Sequence, residues 1–112
     1  MGAAAYNRGS RRVREEIDAA RRPHEFDFIE HLNALPKSEG APVPFGPIRF
    51  EPGNGGWWAL DADHPYTKRG YLYRSLRAAV RAWRVEITEY HQNGSDGGRP
   101  YFIARPARRK GA

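Results

Sequence analysis

The sequence predicts an α+β fold: N-terminal helices followed by a small antiparallel sheet of about four strands, with one amphipathic helix packed on it. Three observations indicate this class. Two helix-length amphipathic segments precede residue 36, two glycine-rich turns separate β-prone segments after residue 47, and a short amphipathic segment lies between the turns. With 112 residues, the chain is long enough for one compact core but not comfortably for two.

Changes in composition divide the chain into five regions. We expect a disordered N-terminus over 1–9, a helical segment over 10–35, a Pro/Gly-rich connector over 36–47, an α+β core over 48–105 and a basic disordered tail over 106–112.

The helical segment divides at Pro23. Ser10 is placed to cap a first helix that runs to about Arg22. A second helix is predicted from about His24 to Leu35, because apolar residues such as Phe28 and Leu32 recur at helical spacing and Pro36 ends the pattern.

The most direct local prediction is a β-hairpin. Two short strands, 48–51 and 57–61, flank Gly53-Asn54-Gly55-Gly56, which supplies the positive φ angles of a hairpin turn. Adjacent strand residues point to opposite faces, so one of Trp57 and Trp58 is expected in the core and the other partly exposed.

Residues 74–84 are expected to be helical, but the segment after them permits two interpretations. The apolar spacing from Leu72 to Tyr90 suits one long helix. The β-branched residues over 85–91, the glycine-rich turn and the sequence 101–104 instead suit a second hairpin. We favour a short helix from Ser75 to about Trp83 followed by this hairpin, with Trp83 and Phe102 as core aromatics.

The net charge of +6 is concentrated in the second half of the chain. Residues 1–47 hold seven basic and seven acidic residues, whereas residues 48–112 hold twelve basic and six acidic ones. Residues 69–84 contain five arginines and no acidic residue. On a continuous helix Arg74, Arg77, Arg81 and Arg84 would fall within an arc of about 80°. Like charges at this spacing destabilise a helix, which favours a functional role for them.

This pattern predicts a surface that binds nucleic acid or another polyanion. The candidate site consists of the arginines and lysine of the second half: Arg69, Arg74, Arg77, Arg81, Arg84, Arg105, Arg108, Arg109 and Lys110. Trp58 and Tyr73 are the candidates for stacking on unpaired bases.

The leading hypothesis is a small, non-enzymatic nucleic-acid-binding accessory protein with low sequence specificity. The alternative is a protein interaction module, an inhibitor or adaptor of phage or plasmid origin, whose basic face binds an acidic partner. In that case the helix predicted over 24–35 would supply an apolar anchor.

Other chemistry is weakly indicated. The chain has no cysteine, which excludes disulfides and thiolate metal sites. His24, Asp27 and His31 have helical metal-ligand spacing, and Asp61, Asp63 and His64 share a turn, but amphipathic helices and polar turns explain both sets. We therefore expect no catalytic residue, metal or cofactor.

Because no secretory signal or long apolar run occurs, we expect a cytoplasmic protein without membrane association.

The run GGWWALDADHPYTKRGYLYRSLRAAVRAW, residues 55–83, resembles short hairpin-then-helix modules of phage and plasmid accessory proteins. The resemblance covers about a quarter of the chain and implies no particular family and no site residues.

Overall fold

The protein is a mixed α/β structure with a five-stranded antiparallel sheet. The computed structural model describes the backbone of residues 2–22, 27–92 and 99–107, and the side chains of 11–22, 27–92 and 99–107. The elements in chain order are α1 (Gly2–Arg21), α2 (Phe28–Ala34), β1 (Ile48–Gly53), β2 (Gly56–Asp61), β3 (Tyr71–Tyr73), α3 (Leu76–Arg81), β4 (Val85–His91) and β5 (Tyr101–Pro106). Residues 36–47 form neither helix nor strand.

The strand order is β3-β2-β1-β5-β4, and every neighbouring pair is antiparallel. The first hairpin is confirmed, since β1 and β2 pair from Ile48↔Asp61 to Gly53↔Gly56. Its turn residues Asn54 and Gly55 have φ angles of 54° and 76°, as a two-residue hairpin turn demands. The sheet has one strand more than expected, because β3 is only three residues long and shows no alternation to recognise.

The second hairpin is also confirmed, so the long-helix interpretation of residues 85–91 is wrong. β4 pairs with β5 from Val85↔Pro106 to His91↔Tyr101, with a β-bulge between Ile87 and Glu89. Asn33 on α2 supports this bulge: its amide donates to the Ile87 carbonyl at 3.2 Å, and its carbonyl accepts from the Ile87 N–H at 2.8 Å. Residues 93–98, where the turn was predicted, lie outside the described residues.

All three helices pack on one face of the sheet, which we call the inner face. The largest fully buried side chains are Phe28 of α2, Phe50, Trp57 and Phe102 of the sheet, and Leu32 of α2. Phe102 is therefore a core aromatic as expected, whereas Trp83 is only half-buried and Trp57 takes that central position. The opposite, outer face of the sheet carries Trp58, which is partly exposed as expected for one of the two tryptophans.

The boundaries of both front helices differ from those predicted. α1 begins at Gly2 instead of Ser10, because the alanine-rich residues 3–5 extend the helix through the segment expected to be disordered. α2 begins at Phe28 instead of His24, since Asp27 has a left-handed backbone (φ 49°) that a continuous helix excludes. Both helices contribute to the core, with Val13 and Ala20 from α1 and Phe28 and Leu32 from α2.

α3 is also shorter than expected. Ser75 lies before it in extended conformation and accepts a hydrogen bond from the Ala78 N–H at 3.1 Å, as an N-cap does. The helix ends at Arg81, so Arg74 precedes it and Arg84 follows it at the approach to β4.

A buried carboxylate joins α1 to α3. Glu16 is 3% exposed, and its oxygens accept hydrogen bonds from the Leu76 N–H at 3.0 and 2.9 Å and from the Arg77 N–H at 3.3 Å. Arg77 Nη1 lies 3.4 Å from the same carboxylate. Glu16 thus satisfies N–H groups that the first turn of α3 leaves without intrahelical partners.

Within the described residues, no helix combines the length and the apolar character needed to cross a membrane.

Replacing Glu16 should destabilise the fold. Glu16→Ala leaves the Leu76 and Arg77 N–H groups unsatisfied beneath α1, at an expected cost of about 2–4 kcal/mol in the free energy of unfolding. Glu16→Gln keeps one acceptor, so its loss in the free energy of unfolding should be less than half of the loss in Glu16→Ala. Urea denaturation measures both, with the neighbouring exposed Glu15→Ala as the control. An equal effect of Glu15→Ala would contradict a specific role for Glu16.

The same carboxylate should make stability depend on pH. Burial raises the pKa of Glu16, although the Leu76 and Arg77 N–H groups and the Arg77 charge act to lower it. A raised folded-state pKa adds stability below the unfolded-state value of about 4.3, and this stability is lost as pH rises through the raised pKa. The free energy of unfolding of the native chain, relative to Glu16→Gln, should therefore increase as pH falls from about 7 to about 4. A decrease over this interval would show that the pKa is depressed.

Candidate nucleic-acid interface

The five arginines of residues 69–84 do not form one stripe on a helix. Only Arg77 and Arg81 lie on α3, whereas Arg69 lies in the β2–β3 loop and Arg74 in the link between β3 and α3. The angular prediction fails because the helix is six residues long, shorter than the segment over which the spacing was counted. Arg69, Arg74, Arg77 and Arg81 are nevertheless exposed.

Among the five arginines of residues 69–84, Arg77 is paired with a carboxylate within the described part of the chain. Its Nη1 lies 3.4 Å from Glu16, and its guanidinium carbon lies 5.9 Å from the centre of the Phe28 ring. The side chain remains 47% exposed. Arg77 is therefore held at the junction of α1, α2 and α3 with its charge partly compensated.

Arg81 and Arg84 are held by neutral groups of the connector. Arg81 Nε donates to the Pro36 carbonyl at 2.8 Å, and Arg84 Nε donates to the Ala41 carbonyl at 3.0 Å. The Arg84 N–H also donates to the Pro42 carbonyl at 2.8 Å. A carbonyl orients a guanidinium without cancelling its charge, so the connector orients both side chains without neutralising them.

Lys37 adds a third cation to this place. Its Nζ donates to the Val80 and Val85 carbonyls at 3.0 and 3.2 Å, at the end of α3 and the beginning of β4. Burial lowers the pKa of Lys37, and the nearby Arg84 charge lowers it further. Lys37, Arg81 and Arg84 form what we call the connector cluster.

Of the remaining basic residues of the predicted site, Arg105 is described, and it lies away from the connector cluster on the outer face. Arg105 lies on β5 beside β4, and its Nη2 is 3.0 Å from a Glu89 oxygen. Hydrogen bonds from His91 and then from Arg105 lower the pKa of Glu89, so the pair stays ionised. Arg108, Arg109 and Lys110 lie outside the described residues.

On the outer face, Arg49 and Arg105 each lie beside a carboxylate. Arg49 Nε lies 2.6 Å from Glu51, and the Arg49 guanidinium carbon lies 3.6 Å from the centre of the Tyr101 ring. The ring of His91 stacks on Tyr101 at 4.5 Å. The planar groups of Arg49, Tyr101 and His91 therefore contact one another.

Neither predicted stacking residue is placed beside the connector cluster. Trp58 is on the outer face, where its indole atoms lie 3.3 Å from the position that a Cβ on Gly53 would take. Tyr73 is half-buried on the inner face, and its hydroxyl accepts a hydrogen bond from Trp83 Nε1 at 3.1 Å.

A groove next to the connector is lined by aromatic residues, and one of them, Phe45, was not identified from the sequence. This connector groove has a volume of about 600 Å³, and its walls include Val43 and Phe45 of the connector, Tyr71 of β3, Trp83 and Arg69. Phe45 is fully exposed, and Tyr71 is 56% exposed. The Tyr71 ring meets the Trp83 ring edge-on, with centres 5.5 Å apart. The available signal was an aromatic residue within a proline-rich connector, where no periodicity assigns it to a core.

The acidic turn after β2 also borders the connector groove, through Asp61, Asp63 and His64. Asp61 is used locally: one oxygen accepts from the Asp63 N–H at 2.9 Å and the other lies 3.1 Å from Lys68 Nζ. The Lys68 hydrogen bond, followed by the Asp63 N–H, lowers the pKa of Asp61. An ionised, paired Asp61 fits a structural turn better than a proton donor.

Of the described residues with helical metal-ligand spacing, Asp27 and His31, only His31 lies on α2. Asp27 is outside α2, His31 is exposed on it, and His24 lies outside the described residues. Among the residues whose positions are described, no group of three or more His, Cys, Asp or Glu residues is arranged to hold a metal ion.

Comparison with known proteins finds no matching family model, no similar curated protein and no similar solved structure. The surface is therefore interpreted from its own geometry.

The contacts of Arg84 and Arg74 predict different effects on stability. Arg84→Ala removes a charged donor from the Ala41 carbonyl and should lower the free energy of unfolding by about 1–2 kcal/mol. Arg74 is exposed, so Arg74→Ala should change it by less than about 0.5 kcal/mol. Urea denaturation of the two variants tests this, and equal losses would show that Arg84 does not hold the connector.

Proposed function

We propose that this protein is a small, non-enzymatic nucleic-acid-binding protein with weak sequence preference. Its phosphate contacts are Arg69, Arg74, Arg77, Arg81 and Arg84. The observation that carries this proposal is the kind of partner these arginines have. Within the described part of the chain, only Arg77 of the five lies against a carboxylate, while Arg81 and Arg84 are anchored on neutral carbonyls.

Neighbouring cations without a carboxylate partner repel one another, and an approaching anion reduces this repulsion. Burial lowers the pKa of Lys37, and the charge of the neighbouring Arg84 lowers it further, so these two cations of the connector cluster repel one another. Phosphates relieve this repulsion and release counterions from the nucleic acid, which favours binding at low salt. Each anchored guanidinium uses Nε internally and keeps its other N–H donors for a ligand.

The arrangement favours contacts to the phosphate backbone over contacts to base edges. α3 is six residues long, less than two turns, and its residues Leu76, Ala79 and Val80 are buried in the core. Its arginines are held against α1 and the connector, which leaves a fixed cationic surface rather than a projecting recognition helix.

The salt dependence of binding tests this proposal. Fluorescence anisotropy with a labelled oligonucleotide, from about 50 to about 300 mM salt, should give an affinity that falls linearly on a log-log plot. Arg74→Ala should reduce the slope by about one, because one phosphate contact is lost without loss of stability. Arg105→Ala is the matched control, an arginine of the outer face that is paired with Glu89, and should leave the slope unchanged.

Two results would overturn the proposal. One is the absence of binding at low salt, and the other is an equal change of slope in Arg74→Ala and Arg105→Ala.

A second candidate function is an interaction module for an acidic protein partner, of phage or plasmid origin. The exposed Val43 and Phe45 favour it, because apolar side chains beside cations suit a protein interface. The apolar side of α2 is not available as the anchor, since Phe28 and Leu32 are fully buried. This candidate gains support if the protein binds no oligonucleotide at low salt.

A further inference from the structure

The connector groove places aromatic rings next to the cationic surface. Phe45 lines the groove from the connector and Tyr71 lines it from β3, and both side chains are exposed. Arg84 holds the connector wall by donating to the Ala41 and Pro42 carbonyls, and Arg69 lines the groove directly. Rings and cations therefore lie on the same side of the protein.

We propose that the connector groove binds single-stranded nucleic acid, with unpaired bases stacked on Phe45 and Tyr71 and the phosphates on Arg69 in the groove and on Arg84 behind its connector wall. This assignment rests on the proposed function, which it deepens by naming the substrate class. It also transfers the stacking role from Trp58 and Tyr73 to Tyr71, a neighbour of Tyr73 in the sequence, and to Phe45 of the connector.

Both rings are accessible to a base. Tyr71 remains 56% exposed although its ring is held edge-on against Trp83 at 5.5 Å. Phe45 is fully exposed, so a base that covers it removes apolar surface from water. Stacking of this kind tolerates any base, which agrees with weak sequence preference.

The groove suits unpaired bases better than a duplex. In a duplex each base face is already covered by its neighbours, whereas an unpaired base offers its faces to aromatic side chains. A volume of about 600 Å³ lies within the usual range for ligand sites.

The carboxylates and cations that line the groove balance one another, and the positive excess comes from the adjoining connector cluster. The carboxylates of the groove are Asp61 and Asp63, and Asp61 is compensated by Lys68 at 3.1 Å. Arg69 has no carboxylate partner among the described residues, and the connector cluster adjoins the connector wall.

The test compares three labelled probes with the full-length chain: a single-stranded oligothymidylate of about 12 nucleotides, the corresponding oligouridylate, and a mixed-sequence DNA duplex of the same length. At least one single strand should bind about tenfold tighter than the duplex, and the preferred strand distinguishes DNA from RNA. Phe45→Leu keeps an apolar side chain without a ring and should weaken single-strand binding by about 5- to 100-fold. Phe45→Trp should retain it.

Leu72→Ala is the matched control, because Leu72 adjoins Tyr71 on β3 but points to the outer face. It should leave the affinity unchanged, and all variants should unfold with the native midpoint since the replaced side chains are exposed. Equal affinity for single strand and duplex, or equal losses in Phe45→Leu and Leu72→Ala, would overturn the groove assignment. If the groove assignment failed but Arg74→Ala still reduced the slope of log affinity against log salt concentration, the proposed function would stand. If none of the three probes bound at low salt, both would fall.

Discussion

The arrangement of this protein depends on one buried carboxylate. Glu16 lies 60 residues before the N–H groups that it binds in α3, and by binding them it fixes α1, α3 and the underlying sheet in one position. The cost of removing its charge from water is visible in its raised pKa. That cost is offset by hydrogen bonds to N–H groups that would otherwise lack partners. Because α3 is too short to be stable alone, the position of Arg77 and Arg81 depends on this contact.

The two faces of the sheet differ in how their cations are compensated. On the outer face, Arg49 and Arg105 have Glu51 and Glu89 as partners, and the Tyr101 ring lies between Arg49 and His91. On the helical side, Arg81 and Arg84 bind carbonyls of the connector, and a groove with exposed rings adjoins them. Arginines on the two surfaces therefore have different electrostatic consequences, and this difference is the physical basis of the proposed binding surface.

Local features of the fold could be predicted from the sequence, and long-range ones could not. The first hairpin follows from Asn54 and Gly55, and the start of α3 from Ser75, because each depends on a few adjacent residues. β3 has three residues and gives no pattern, and the left-handed Asp27 interrupts an otherwise convincing helical spacing. For the candidate site, the sequence identified the arginines but not their arrangement. The contacts of Arg77 with Glu16 and of Arg84 with Ala41 span 61 and 43 residues, and no periodicity reports them.

The bulge in β4 has a consequence for association between chains. β4 is an outermost strand, and such a strand normally presents free N–H and C=O groups on which another chain can continue the sheet. Here the Asn33 amide occupies both groups of Ile87, in the way that a residue of a neighbouring strand would. The bulge next to it breaks the regular spacing that an incoming strand would have to match. Together with Lys37, which donates to the Val85 carbonyl of the same strand, Asn33 thus opposes the addition of another strand at this border.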